Sequence, residues 1–265
     1  MVKEQKNRFT QAVFYFCTGM QKLLSYPLTI IFLIFFGLTL LVFHPVQWIC
    51  LNLFGYNAHK KSVSLLNLCL MWCTHLLGTR YSFRLPENMP EKGPLIIVAN
   101  HQSMYDIPPI IWHLRKYHPK FVSKKELGKG IPSVSFNLRH GGSVLIDRKD
   151  GRQALKAIVG MAGYIEKTGH SAVIFPEGTR SRDGRPKPFR TIGLKALIQN
   201  APSAYILPVS INNSWKMLRY GKFPLGIGNH LRFEVHPPVP AREYTDQMLV
   251  AIERQIAENI EVTDT

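Results

Sequence analysis

Two different hydrophobic patterns divide the chain. From Leu23 to Phe43 it reads LLSYPLTIIFLIFFGLTLLVF without a charge. As a helix rising ~1.5 Å per residue, that stretch reaches ~31 Å, about one hydrocarbon core. His44-Pro45 is expected to interrupt it, because proline has no N–H to give a helix interior. The apolar run that follows, Val46–Phe54, is too short to span. Residues 62–77 then place Leu65, Leu68, Cys69, Trp72 and Leu76 on one helical face, for packing under the next domain or for a second membrane contact. Beyond the turn-rich connector Glu87–Pro94 the pattern changes. Leu95–Ala99, Lys120–Ser123, Val144–Asp147, Ala172–Phe175, Tyr205–Val209 and Leu231–Val235 read as strands, the last half-exposed because its apolar residues alternate. Pro108–Tyr117, Arg152–Lys167, Gly193–Asn200 and Tyr244–Ile260 read as helices. This alternation predicts an α/β fold with a mixed, largely parallel sheet flanked by helices, preceded by an N-terminal hydrophobic helical membrane motif. The division falls between residues 1–78 and residues 79–265.

Charge sharpens the picture. With 33 Lys+Arg against 17 Asp+Glu the formal net charge is +16, which calls for an anionic partner. Nucleic acid fits poorly: strands interrupt the basic residues, and no reading helix or stacking-aromatic motif occurs. Lys3, Lys6, Arg8 and Lys22 precede the apolar segment, and Lys60 and Lys61 follow it. Both flanks therefore prefer the cytoplasmic face, which a re-entrant or monotopic hairpin satisfies better than a single span or a buried core helix. A signal peptide does not fit, because the apolar run is too long and no small-residue cleavage site follows. Cys17, Cys50, Cys69 and Cys73 form no C-x-x-C pair and are expected to be buried, reduced thiols.

Two strands end in unusual polar sequences, where open α/β sheets collect their chemistry. Leu95–Ala99 runs into Asn100-His101-Gln102-Ser103-Met104-Tyr105-Asp106. Positions five apart lie about 140° from each other on a straight helix. His101 and Asp106 can therefore meet only if the histidine ends the strand and the aspartate opens a helix with Pro108 in its first turn. Paired so, they form the base and orienter half of a catalytic triad; otherwise Asp106 is a helix cap and His101 fills a turn. Ser103 lacks a nucleophile-elbow sequence. Ala172–Phe175 runs into Pro176-Glu177-Gly178-Thr179-Arg180-Ser181, with a glycine for close approach, a hydroxyl, and a guanidinium suited to phosphate. Arg148, after Gly141-Gly142 and a strand, and Lys124, after another strand, add cations that either reach the same cleft or lie in solvent.

In order, NHQSMYD, SKKEL, GGSVLIDR, FPEGTRS and ILPVS resemble the blocks of the membrane-associated glycerolipid acyltransferases, specifically the 1-acyl-glycerol-3-phosphate acyltransferases, over roughly residues 93–213. The resemblance implies an enzyme that moves an acyl group from acyl-CoA or acyl carrier protein to the sn-2 hydroxyl of 1-acyl-glycerol-3-phosphate, giving phosphatidic acid. The alternatives are another lysolipid acceptor or a non-catalytic membrane lipid-binding protein. It implies His101 as general base with Asp106 as its partner, and Lys124, Arg148 and Arg180 at the acceptor's phosphate. Glu177, Gly178 and Thr179 would shape the acceptor pocket, with Pro208 near the acyl donor. Apart from the acyl-carrying co-substrate no cofactor and no metal are expected, and the implied partners are membrane phospholipid and lysophospholipid. Where the family often has Phe-Lys-x-Gly, this chain has Phe189-Arg190-Thr191-Ile192-Gly193, one residue longer.

Overall fold

A computed structural model describes the backbone of residues 2–261 and the side chains of residues 19–261. Helix α1 (Val2–His75) runs through both Pro27 and Pro45 and is broken only at Gly55, whose φ of 75° and ψ of −170° are non-helical. The two arms fold back on each other about that glycine. Thr39 Oγ1 lies 3.5 Å from Cys73 Sγ, and Leu40 packs with Leu66 and Leu70. The expected break at His44-Pro45 is therefore corrected to Gly55. A positive φ favours glycine, whereas the turn around Pro45 is held from outside: Ser133 Oγ donates to Leu40 O at 2.6 Å, and Ser133 N donates to His44 Nδ1 at 3.0 Å.

The second arm packs by Val63, Leu66, Leu70, Met71 and Cys73. The face read from sequence is the outward one: Leu65, Trp72 and Leu76 are exposed, with Leu68 and Cys69 half-buried. The first arm is also apolar outward, with Ile30, Leu33, Ile34, Leu38, Leu41 and Val42 all exposed. Of the cysteines Cys73 is buried, but Cys50 and Cys69 are only half-buried. The side chains of Lys3, Lys6, Arg8 and Cys17 lie outside the described residues.

The strands are β1 (Arg80–Arg84), β2 (Leu95–Ala99), β3 (Pro119–Lys124), β4 (Val144–Ile146), β5 (Ser171–Ile174), β6 (Tyr205–Asn212), β7 (His230–Val235) and β8 (Val239–Pro240). They form one sheet in the order β1-β7-β6-β2-β5-β3-β4, with β8 on β6. Pairing is parallel except where β6 meets β7 and β8. The remaining helices are α2 (Ile107–His113), α3 (Val134–His140), α4 (Gly151–Thr168), α5 (Thr191–Asn200) and α6 (Asp246–Glu258). The helix expected over Pro108–Tyr117 is thus α2 followed by a separate 3-10 turn, Arg115–Tyr117.

β2 shows how the layers form. Its five residues are all buried. Leu95, Ile97 and Ala99 face one core with Phe32 of α1, Leu77 just after it and Ile110 of α2, while Ile96 and Val98 face the other with Ile158, Leu194 and Ile252 from α4, α5 and α6. Successive side chains point to opposite faces of a sheet, so a helix-covered central strand must be apolar throughout. The exits of the adjacent parallel strands β2 and β5 are left as a common edge on which polar residues can meet.

Candidate active site

His101 follows β2 by two residues, and its Nδ1 lies 2.7 Å from Asp106 Oδ2. The chain closes this five-residue separation through a 3-10 turn, Met104–Asp106, that leads directly into α2 with a proline in its first turn. Asp106 is fully buried, and the same Oδ2 accepts from the backbone N–H of Gln102 at 2.8 Å and of Ser103 at 3.0 Å. The carboxylate is thus the histidine's partner and closes the 3-10 turn by accepting from Ser103, but it makes no cap bond to α2, so of the two readings left open by the sequence the pairing is the one observed. Because Oδ2 can only accept, Nδ1 carries the proton and Nε2 keeps its lone pair. Arg180 Nε donates toward that lone pair at 3.4 Å.

His101 is buried, 8% exposed as a residue, and its ring stacks on Phe175 with ring centres 4.1 Å apart. Its loop is tied down on both sides. Asn100 binds the backbone of Ile211 twice, accepting from its N–H at 2.7 Å and donating to its carbonyl at 2.9 Å. Gln102 Oε1 accepts from Ser214 N at 2.9 Å. Ser103 is wholly buried, bonded to Ser214 and to Tyr105 N, so it is a scaffold residue and not a nucleophile. Sequence reading passed over Asn100 and Gln102 because their side chains serve the backbone of β6 and the turn after it, more than a hundred residues away.

The loop after β5 locks onto the first. Ser181 N donates to His101 O at 2.8 Å, and His101 N donates to Glu177 Oε1 at 3.0 Å. Glu177 is buried and holds the histidine's main chain, and its Oε2 has no hydrogen-bond partner among the described residues. Gly178 makes the turn at φ 69°. Burial pushes the Glu177 carboxyl up to about 7, opposed by its bond to His101 and the nearby Lys187. Because the folded form holds this proton more tightly than the unfolded chain, stability is full below the unfolded pKa of 4.5, falls as pH rises towards 7, and stays reduced above it. In urea titrations the Glu177→Gln variant is expected to lose less stability than wild type between about pH 5 and about pH 8, by about 3 kcal/mol.

Thr179 and Arg180 are exposed at the crevice mouth. Arg148 joins them: burial and the neighbouring guanidiniums of Arg180 and Arg190 lower its pKa, partly offset by Glu126. Arg180 and Arg190 thus both lie close to Arg148, and the one carboxylate that offsets this positive charge is Glu126. Lys124 is already paired with Glu126 at 2.9 Å and so belongs to the rim. Arg190, at the departure from the family pattern, was not among the expected phosphate ligands; its position directly after Phe189 was the available signal. Pro208 is not brought to this cluster. It is buried in β6 in register with Val98, and its carbonyl accepts from His236 N at 2.9 Å. Among the described residues no three His, Cys, Asp or Glu side chains gather as a metal ion would require.

Comparison with known proteins places this geometry. The family model described as Acyltransferase matches residues 80–212. The 1-acyl-sn-glycerol-3-phosphate acyltransferase of Salmonella typhimurium is 30% identical over 177 residues, covering 64% of this chain and 66% of that protein. The enzyme of the same name from Borreliella burgdorferi is 29% identical over 207 residues, covering 76% and 80%. The crystal structure of the 1-acyl-sn-glycerophosphate (LPA) acyltransferase of Thermotoga maritima superposes with a TM-score of 0.63 at 23% identity, over 83% of this chain and 92% of that one, so the fold is shared.

Proposed function

This chain belongs to the acyltransferase family, and on that premise we propose that it acylates the sn-2 hydroxyl of 1-acyl-glycerol-3-phosphate, using an acyl thioester carried by coenzyme A or acyl carrier protein and giving phosphatidic acid. The observation that carries the proposal is the 3.4 Å separation of Arg180 Nε from the free lone pair of His101 Nε2. A base and a phosphate-binding cation stand side by side, as an acceptor with a hydroxyl close to its phosphate requires. The relatives' names give the same acceptor.

The acceptor's phosphate binds among Arg180, Arg148 and Arg190, and draws Arg180 off the imidazole. The sn-2 hydroxyl then donates to Nε2. As its oxygen attacks the thioester carbon, the proton passes to Nε2 and Asp106 stabilises the imidazolium. Collapse of the tetrahedral intermediate breaks the C–S bond, and the departing thiolate takes the proton back. No acyl-enzyme is needed, because the thioester is already activated. General-base help supplies about 10²–10⁴-fold; holding the hydroxyl against the donor supplies much of the rest.

Arg180→Ala is expected to raise the acceptor KM about tenfold to a hundredfold with a smaller change in kcat, since it removes a group that binds phosphate in ground and transition state alike. Thiol release from acyl-CoA, followed over a range of acceptor concentrations, measures both. An unchanged acceptor KM would defeat the assignment. The same assay across a panel of lysolipids identifies the acceptor, and turnover confined to one without a phosphomonoester would favour the other-lysolipid reading.

The hairpin of α1 seats the enzyme on a membrane. Its outward faces are apolar on both arms, and its turn rests on the sheet domain, where Tyr56 Oη lies 3.0 Å from His118 Nδ1, so both arms lie along one leaflet on the same side of the membrane as the sheet. The basic flanks put that side, with the catalytic residues, on the cytoplasmic face. A lysolipid can then present its headgroup to His101 while its acyl chain stays in lipid.

A further inference from the structure

Two adjoining cavities lie between the second arm of α1 and the segment joining α2 to β3. The larger, of about 470 Å³, is lined by the cations Lys60, Lys61, Arg115 and Lys116 together with Leu65 and Trp112. The smaller shares Lys60 and Arg115 and reaches inward to His118 and Lys120. Neither is lined by any Asp or Glu. Lys120 is only 7% exposed, its ammonium 4.9 Å from the centre of the Tyr56 ring, and no carboxylate pairs with it among the described residues. Burial and the nearby Lys60 bring its pKa down to about 8. Arg115 is held in place: it lies over the Trp112 ring at 4.1 Å and donates to Trp112 O at 2.7 Å. Concentrated positive charge with one buried, uncompensated lysine is the converse of an anion.

This cleft is separate from the catalytic crevice. Lys120 sits in register with Ala172, and Ala172 with Ile96, on parallel strands. His101 lies beyond the C-terminal end of β2, whereas Lys120 is the second residue of β3. The catalytic groups gather at the exits of the strands, and the cleft opens at their entrances. Leu65 identifies the source of the anion, because it begins the outward stripe that continues through Trp72 and Leu76. A headgroup in the cleft would leave its acyl chains lying on that stripe.

We propose that the cleft formed by Lys60, Lys61, Arg115 and Lys116 binds the phosphate of an anionic membrane phospholipid as a non-catalytic site. The proposal rests on the membrane seating of the hairpin given above. The test is co-sedimentation of the detergent-purified full chain with phosphatidylcholine vesicles, with and without phosphatidylglycerol, a phosphodiester chosen because the catalytic crevice is assigned a phosphomonoester. Lys61→Ala/Lys116→Ala removes two exposed cations, and Lys156→Ala/Lys167→Ala removes two exposed cations from α4 as a matched control. Wild type should bind phosphatidylglycerol-containing vesicles more tightly than phosphatidylcholine alone. The cleft variant should weaken that binding about tenfold or more, leave phosphatidylcholine binding unchanged, and exceed the effect of the control. Equal losses in both double variants, or no loss in the cleft variant, would overturn the site. Displacement of the vesicles by millimolar inorganic phosphate would overturn its assignment to a lipid. Absence of wild-type binding to any vesicle would overturn the membrane seating and this site together, whereas binding without preference for phosphatidylglycerol would overturn this site alone.

Discussion

Replacing His101 by alanine is expected to lower kcat for acyl transfer by about a thousandfold or more, with the acceptor KM nearly unchanged and folded protein still recovered. Nε2 carries a free lone pair at the crevice mouth because Nδ1 is committed to Asp106 at 2.7 Å. Positioned bases contribute about 10²–10⁴-fold. Truncation removes the only imidazole in that position, while the phosphate-binding arginines stay. The loop itself is held by Asn100, Gln102 and the backbone of Ser181, none of which depends on the imidazole. Thiol release measures the rate, and far-UV circular dichroism the fold. Residual turnover within tenfold of wild type would remove His101 from the mechanism.

Asp106→Asn is expected to cost a similar factor in kcat and, in contrast to His101→Ala, about 2–4 kcal/mol of stability. The carboxylate accepts three hydrogen bonds on Oδ2 in a site without solvent. If the asparagine carbonyl keeps that place, the acceptor is neutral and the imidazolium loses its counter-charge. Its NH₂ group then occupies the position of Oδ1, which has no hydrogen-bond partner among the described residues. If the amide turns over, NH₂ faces Nδ1 and forces the proton onto Nε2, where it blocks the base. Both orientations leave buried polar groups badly matched, at a cost of the stated size. A wild-type Tm in this variant, or a wild-type kcat, would contradict the geometry.

Chemistry was easiest to read where a buried strand ended. LIIVA and the strand after Gly169 are apolar enough to be unmistakable, and the polar residues that follow them are therefore conspicuous, which is why the pairing of His101 with Asp106 is legible from the sequence. Elements whose stability comes from elsewhere were missed. β1 reads RYSFR, with a charge at each end, and becomes a strand by parallel pairing with β7 at the sheet's edge. α3 is short, and begins after Ser133 at φ 61°, a conformation sequence patterns do not announce. Pro45 signals a helix end by local rules, yet Ser133 holds that turn from a segment nearly ninety residues away. The resemblance implies that Glu177 shapes the acceptor pocket; its inward orientation comes from accepting the N–H of His101, a contact with a different loop that no local pattern announces.

Phe32, on the first arm of α1, is completely buried, and its ring meets Tyr105 at 6.2 Å between centres. Tyr105 is the residue immediately before Asp106, inside the turn that delivers the carboxylate to the imidazole. The apolar arm therefore supports the turn that carries Asp106. A shortened version beginning at the sheet would not be a water-soluble form of the same catalyst, because its key acid would rest on an empty socket. Moving the arm, by bilayer or by detergent, would therefore act on the residue that orients the base, through Phe32 on Tyr105 within the core that α1 shares with α2 and β2.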